Sequence, residues 1–359
     1  MVELTASPKV SLMSRVERYR FDGAILRELS HCFELDNWHG LVQLVEDWVI
    51  IAFAVLTSRW TWQHLPLVVG GIVYFVAILI VGARMRALAD LLHQSTHKTL
   101  AKNKMLNFVL GTFPSGYLVL QSYSGYRSSH VLLHHGHFGN PQLDPDYIGL
   151  QESGLYGANL EANSVRRYLW NIVHPATTLI YLRYLLKNRI LNPQEEFREK
   201  LVRLVYLIVL NSIFIGLGWG WLLMLYWWVP LLTTANWIGA FIELFEHYPL
   251  MEVTSEGIER KMENLKSDIP LSPLFKDQNP KSVDLFMSRN RLCSPVSNFF
   301  IAIHWEGYHL LHHLFPGIPS WRYKLAHQIL MKDEVYSSQN QDRGWSSLFR
   351  QVISKKSQI

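Results

Sequence analysis

Cysteine is nearly absent, with two residues, Cys32 and Cys293, in a chain of 359. They cannot build a disulfide framework or, alone, a thiolate metal site, so the polar part of the chain is expected to face a reducing compartment. Charge is scarce too: Asp, Glu, Lys and Arg make up 18%, against an ordinary share of roughly a quarter. A net charge of +5 is small for a nucleic-acid binder, and no nucleic-acid partner is expected. Neither a Walker A loop nor GxGxxG occurs, which removes the common nucleotide cradles. The first forty residues contain no apolar run of the kind a signal peptide requires, so the N-terminus is expected to stay in the cytosol.

Apolar and aromatic residues are plentiful, with 49% hydrophobic residues and 13 Trp, 16 Tyr and 17 Phe. The run PLVVGGIVYFVAILIVGARM (66–85) carries no charge from Pro66 to Ala83 and reads as a membrane span. WVIIAFAVLTSRWTW (48–62), with Arg59 near its end, is its expected hairpin partner, giving spans at about 44–62 and 66–85. A second hairpin is expected at 201–219 and 220–242, broken by Gly216, Gly218 and Gly220. MLNFVLGTFPSGYLVLQ (105–121) is interrupted by Pro114 and two glycines and reads as an interfacial or re-entrant piece, and 168–186 as an amphipathic interfacial one. The expected fold class is therefore an all-α integral membrane protein: four transmembrane helices in two hairpins under a cytosolic helical cap. The expected division is an N-terminal segment 1–43, a membrane domain 44–323 and a tail 324–359. Lys and Arg concentrate in the polar blocks, which places those blocks, both termini and the active site on the cytosolic side.

Histidine is abundant, and more than half of the sixteen fall into groups. LADLLHQSTHKTL holds His93 and His97, which a helix continuing from the second span places on one face, roughly 6 Å apart. YRSSHVLLHHGHFG holds His130, His134 and His135; FIELFEHYPL holds Glu243, Glu246 and His247; HWEGYHLLHHLFP holds His304, His309, His312 and His313. An isolated HxxxH is more often incidental than a ligand pair. Together, however, three helix-borne clusters supply eight imidazoles, which is the demand of two metal ions rather than one. Asp90, Asp144, Asp146 and Glu306 stand near the clusters as acceptors for the remote N–H of ligating imidazoles. His137 and His304 fall outside the spacing. His31, His39, His64, His174 and His327 read as surface or interfacial, and Arg127, Arg289 and Arg291 as surface residues.

The order HxxxH, HxxxHH, then HxxHH preceded by Glu-Gly-Tyr and followed by Leu-Phe-Pro, resembles the membrane fatty acid desaturase/hydroxylase superfamily, from about Ala83 to Tyr323. The resemblance implies a non-haem di-iron centre, with O2 as co-substrate, held by His93, His97, His130, His134, His135, His309, His312 and His313. It implies a ninth ligand at His247, with Glu243 where such enzymes often have Asn, so that Glu243 is a further candidate ligand. No haem-binding signature of a fused cytochrome domain is present, so electrons are expected from a separate ferredoxin or cytochrome-type donor. The expected function is an O2-dependent oxidase of an unactivated C–H bond, by desaturation or hydroxylation, with a fatty acyl or lipid substrate ranked first. The alternative is a hydroxylase of a non-lipid small molecule such as a carotenoid or a free amino acid, for example arginine. A metal transporter or sensor is the remote alternative, because it requires histidines within the spans and none lies in 66–83 or 201–242.

Overall fold

The computed structural model describes residues 20–155, 164–247, 282–291 and 294–340. The first nineteen residues, the tail beyond 340 and Cys293 lie outside the described residues. All regular secondary structure among the described residues is helical.

Helix α1 (His39–His64) buries Gly40, Leu44, Asp47, Ile51, Ala54, Ser58 and Thr61. Alternating steps of four and three residues give one narrow seam. Its outer face carries Val45, Val49, Phe53, Leu56 and Trp60, with Phe53 71% exposed. Five of the seven inward residues are small or polar while the outward ones are large and apolar, the reverse of a water-soluble helix and the pattern a bilayer selects. Leu65 is extended ahead of Pro66, as a residue before proline should be. The chain then returns as α2 (Leu67–Thr96). This helix runs eleven residues past the expected end at 85, so it carries Asp90 and His93 out of the apolar zone as one rigid rod.

Gly82 on α2 marks the closest crossing. A Cβ there would lie 2.2 Å from Thr234 Oγ1 and 2.7 Å from the Ala235 nitrogen. Those residues begin the final segment, Thr234–Glu246, of the last long helical run, which proceeds through Gly220–Leu223, a π-turn Met224–Trp228 and Val229–Leu232 before it. Before this run stands α3 (Phe197–Gly216), and Gly218, at φ +73°, makes the reversal. Among the described residues, three helical runs are long and apolar enough to cross a membrane: His39–His64, Leu67–Thr96 and Gly220–Glu246. α3 is not one of them, because Arg198, Glu199, Lys200 and Arg203 occupy its first two turns.

The interrupted segment after α2 forms a short helix Lys104–Thr112 and a 3-10 turn Gly116–Val119. Pro114 and Leu118 carbonyls accept from Trp48 and Trp227 indoles at 3.0 and 3.1 Å, which docks this non-helical backbone against the long helices. The stretch 168–186 splits at His174 into Ser164–Val173 and Pro175–Leu185 and exposes Trp170, Leu179 and Ile180. A separate apolar core of Leu29, Cys32, Leu310, Leu311, Ile318, Ala326 and Leu330 holds the helix His309–Leu314 from behind, leaving its histidines on the opposite side.

Candidate metal centre

Each histidine motif arrives on a different kind of element. His93 lies in the last turn of α2 and His97 is its C-cap. The middle motif is a π-helix, Arg127–His134. The His135 N–H donates to the His130 carbonyl at 2.9 Å, five residues back rather than four. This wider turn brings the His130 and His135 Nε2 atoms to 3.1 Å and leaves His134 to face elsewhere, an arrangement an α-helical reading of HxxxHH does not give. π-turns of this sort are frequent at functional sites. The third motif is a two-turn helix, His309–Leu314, in which every residue is buried. His247 caps Thr234–Glu246.

All nine histidines converge into two adjoining groups. His93, His97, His130, His135 and His312 offer ring nitrogens within 4.8 Å of one another, as do His134, His247 and His313. His309 joins the second group, its Nε2 3.0 Å from that of His247. Nε2–Nε2 separations are 2.9 Å for His93–His312, 3.0 Å for His135–His312 and 3.3 Å for His134–His313. Two nitrogens roughly 2.1 Å from a shared metal ion, at right angles, would be about 3.0 Å apart. His97 Nε2 is buried without a hydrogen-bond partner. Converging lone pairs at metal-ligand spacing and an orphaned ring nitrogen both suit a cation among them.

The remote ring nitrogens are held. Nδ1 of His93 meets Asp90 at 3.0 Å, that of His134 meets Asp144 at 2.8 Å, and that of His313 meets Asp284 at 2.9 Å. His312 Nδ1 is 3.0 Å from the Tyr323 hydroxyl and His247 Nδ1 3.2 Å from Ser288 Oγ. Such acceptors fix the tautomer and leave Nε2 bare for a metal. Burial, aided mainly by neighbouring imidazoles, pushes His97, His130, His135, His247, His309, His312 and His313 well below the usual imidazole range. They are neutral donors at pH 7. At His134 burial is outweighed by Asp146, Asp144 and Asp284, which lift it to about 9.

The other acids divide. Asp146 approaches His134 Nδ1 at 3.3 Å with its side chain 53% exposed, and forms a further grouping with His130 and His134. Glu306 is engaged by Arg86 at 3.1 Å, not by an imidazole. Glu243 is open to solvent, belongs to neither histidine group, and has Asp146, Arg86, Glu246 and Arg189 as charged neighbours. Two residues read as superficial are internal. Arg291 is buried and donates to Glu246 at 2.9 Å and to the Ile242 carbonyl at 3.2 Å, tying down the turn before His247. His327 is buried against Tyr336 at 2.9 Å. Asp284, Ser288 and Tyr323 gave no sequence signal as partners, since they stand 29, 41 and 11 residues from their imidazoles.

The chain is 31% identical over 343 residues, 94% of its length and 87% of the relative's, to dihydrorhizobitoxine desaturase of Bradyrhizobium elkanii. Residues 70–342 match the model of the fatty acid desaturase family, covering every histidine of both groups. The chain belongs to the fatty acid desaturase family.

Proposed function

We propose that this protein is a membrane oxidoreductase holding two iron ions, one in each histidine group, and that it uses O2 and two external electrons to desaturate a C–H/C–H pair. The observation that carries the reading is the division of nine histidines into neighbouring groups of five and four, with ring nitrogens 2.9–3.3 Å apart. Bound irons supply the reduction of dioxygen and with it the oxidising power to take hydrogen from an unactivated carbon. The reaction balances as one CH–CH unit, O2, two electrons and two protons giving a C=C bond and two waters. Hydroxylation shares the first hydrogen abstraction, and a displacement of about 1 Å in substrate position is enough to alter the outcome. The chain's own residues aim nine imidazoles and keep seven of them neutral by burial, while a separate ferredoxin or cytochrome-type donor brings the electrons. Four crossings with the histidines on the cytosolic face complete the reading.

A compact polar substrate carrying an amino group is favoured over an acyl chain by the charges beside the centre. Asp146 and Glu243 present open carboxylates there, and Arg86, Glu306 and Tyr126 surround them. The Tyr126 ring is 5.1 Å from His130 and 5.9 Å from His93. An acyl tunnel needs an apolar lining, since carboxylates lose hydration against methylenes. The relative named for dihydrorhizobitoxine rather than for an acyl chain points the same way.

Purified protein should carry two irons per chain, and a single zinc would overturn the di-iron reading. Metabolite profiling of a host expressing the gene separates the substrates. Loss of two hydrogens, or gain of one oxygen, on a soluble amine is expected; a new double bond in membrane lipid would reject the polar substrate.

A further inference from the structure

A second set of buried ionisable groups lies behind the histidine cluster, and none of it is accounted for by metal ligation. Asp47 on α1, Arg84 and Asp90 on α2, and His304 have side chains only 0, 3, 7 and 5% exposed. Arg84 donates to Asp47 at 3.2 Å and to the Phe299 carbonyl. The His304 ring stands between two carboxylates: Nε2 is 3.2 Å from Asp47 Oδ2, an ion-pair contact without hydrogen-bond geometry, and Nδ1 is 3.3 Å from Asp90 Oδ2, a hydrogen bond. The other oxygen of Asp90 meets His93 Nδ1 at 3.0 Å.

The backbone supplies an independent observation. His304 and Trp305 are consecutive residues in the left-handed region, at φ +53° and +67°. Two such L-residues in a row are strained, and strain of this kind persists only where surrounding interactions over-determine it. The reward here is one imidazole placed between acids from two different helices. Charge agrees with placement, because one guanidinium cannot balance two buried carboxylates, whereas a guanidinium with an imidazolium can.

We propose that His304 is a positioning residue: by bridging Asp47 and Asp90 it locks the Asp90 carboxylate against His93 Nδ1 and thereby aims His93 Nε2 into the five-histidine group. Gln94 Nε2 also donates to Asp90 Oδ2, at 2.6 Å, and is backed by Ser320, so without His304 the Asp90 Oδ2 keeps Gln94 and loses the partner that ties it to α1. The proposal rests on the reading of His93 as a ligand.

The test separates the two. In metal-free protein with ring-15N-labelled histidine, His93 should be the Nδ1–H tautomer. His304→Ala should mix the His93 tautomers and weaken Fe(II) binding by roughly 10- to 100-fold, the usual cost of removing a metal ligand's support. His304→Arg should recover most of both, since a guanidinium can span two carboxylates. Should His304→Ala not fold, as judged by its helical circular dichroism, His304→Gln, which reaches only one carboxylate, is read in the same way. An unchanged His93 tautomer and unchanged Fe(II) affinity would overturn the proposal, as would equal losses in the Ala and Arg variants. Wild-type protein that binds no iron yet holds the His93 tautomer through His304 would instead sink the metal reading alone.

Discussion

At the residue scale the centre depends less on the number of imidazoles than on their being neutral and aimed. Asp284 illustrates aiming: it meets the His313 Nδ1 at 2.9 Å. Asp284→Ala should therefore lower metal affinity by roughly 10- to 100-fold while leaving the nine ligands in place, which metal titration of the purified variant measures. Neutrality has a pH consequence. Seven histidines are held well below their ordinary range by burial, so below about pH 6.5 the unfolded chain takes up protons that the folded metal-free chain refuses. Stability from these groups is complete above that pH and is lost as pH falls. His134 has the opposite sign, its contribution present below about 6.5 and lost as pH rises through about 9, but it is one against seven. Metal-free protein should melt at a lower temperature at pH 5.5 than at pH 7.5, and an equal or higher melting point at 5.5 would refute the burial argument. The imidazoles were legible in the sequence because their spacings are local. Asp284, Tyr323 and Ser288 were not, because a side chain that reaches an imidazole across the fold leaves no pattern along the chain.

Elements explain the remaining differences. HxxxHH reads as one face of an α-helix, yet the π-turn Arg127–His134 separates His134 from His130 and His135 and sends them to different groups. No composition signals that turn, which exists because both groups need a ligand from the same segment. α2 shows the reverse, since its apolar run alone foretold a helix continuing into His93 and His97. The position of that rod is set at Gly82, where any side chain meets the Thr234 hydroxyl and the Ala235 backbone. Gly82→Val should destabilise the protein by about 1–3 kcal/mol, the range for overpacking, or more because backbone cannot yield. Gly71, eleven residues earlier on the same helix, has nothing within 4 Å of an added Cβ, and Gly71→Val should be close to neutral. Melting of the two variants in detergent decides it, and similar losses in both would mean that helix propensity, not the crossing, sets the effect.

At the scale of the whole molecule, the histidines constrain topology more tightly than hydropathy does. In the proposed topology α1 and α2 cross as a hairpin, so His93 and His97 would emerge on the side where α1 began. Gly220–Glu246 ends at His247, which touches His309 and, through His134, the same cluster. The proposed topology of four crossings requires that run to start on the far side and α3 to cross as well. Its charge is not prohibitive. Arg203 is fully buried, paired to Glu195 at 2.6 and 2.8 Å and bound to the Arg189 carbonyl at 2.9 Å, so in that topology it would enter the apolar region neutralised. The remaining charges lie in the first turn, at the interface. Single cysteines at Leu65, Leu217, Lys102 and Gln142, introduced after replacing Cys32 and Cys293 by serine, test this with a membrane-impermeant maleimide. Leu65→Cys and Leu217→Cys should label in intact cells, while Lys102→Cys and Gln142→Cys should label only after the membrane is opened. If Leu217→Cys behaves like Lys102→Cys, α3 does not cross, and a helix ending at His247 could not deliver that histidine to the cluster from the side the hairpin requires.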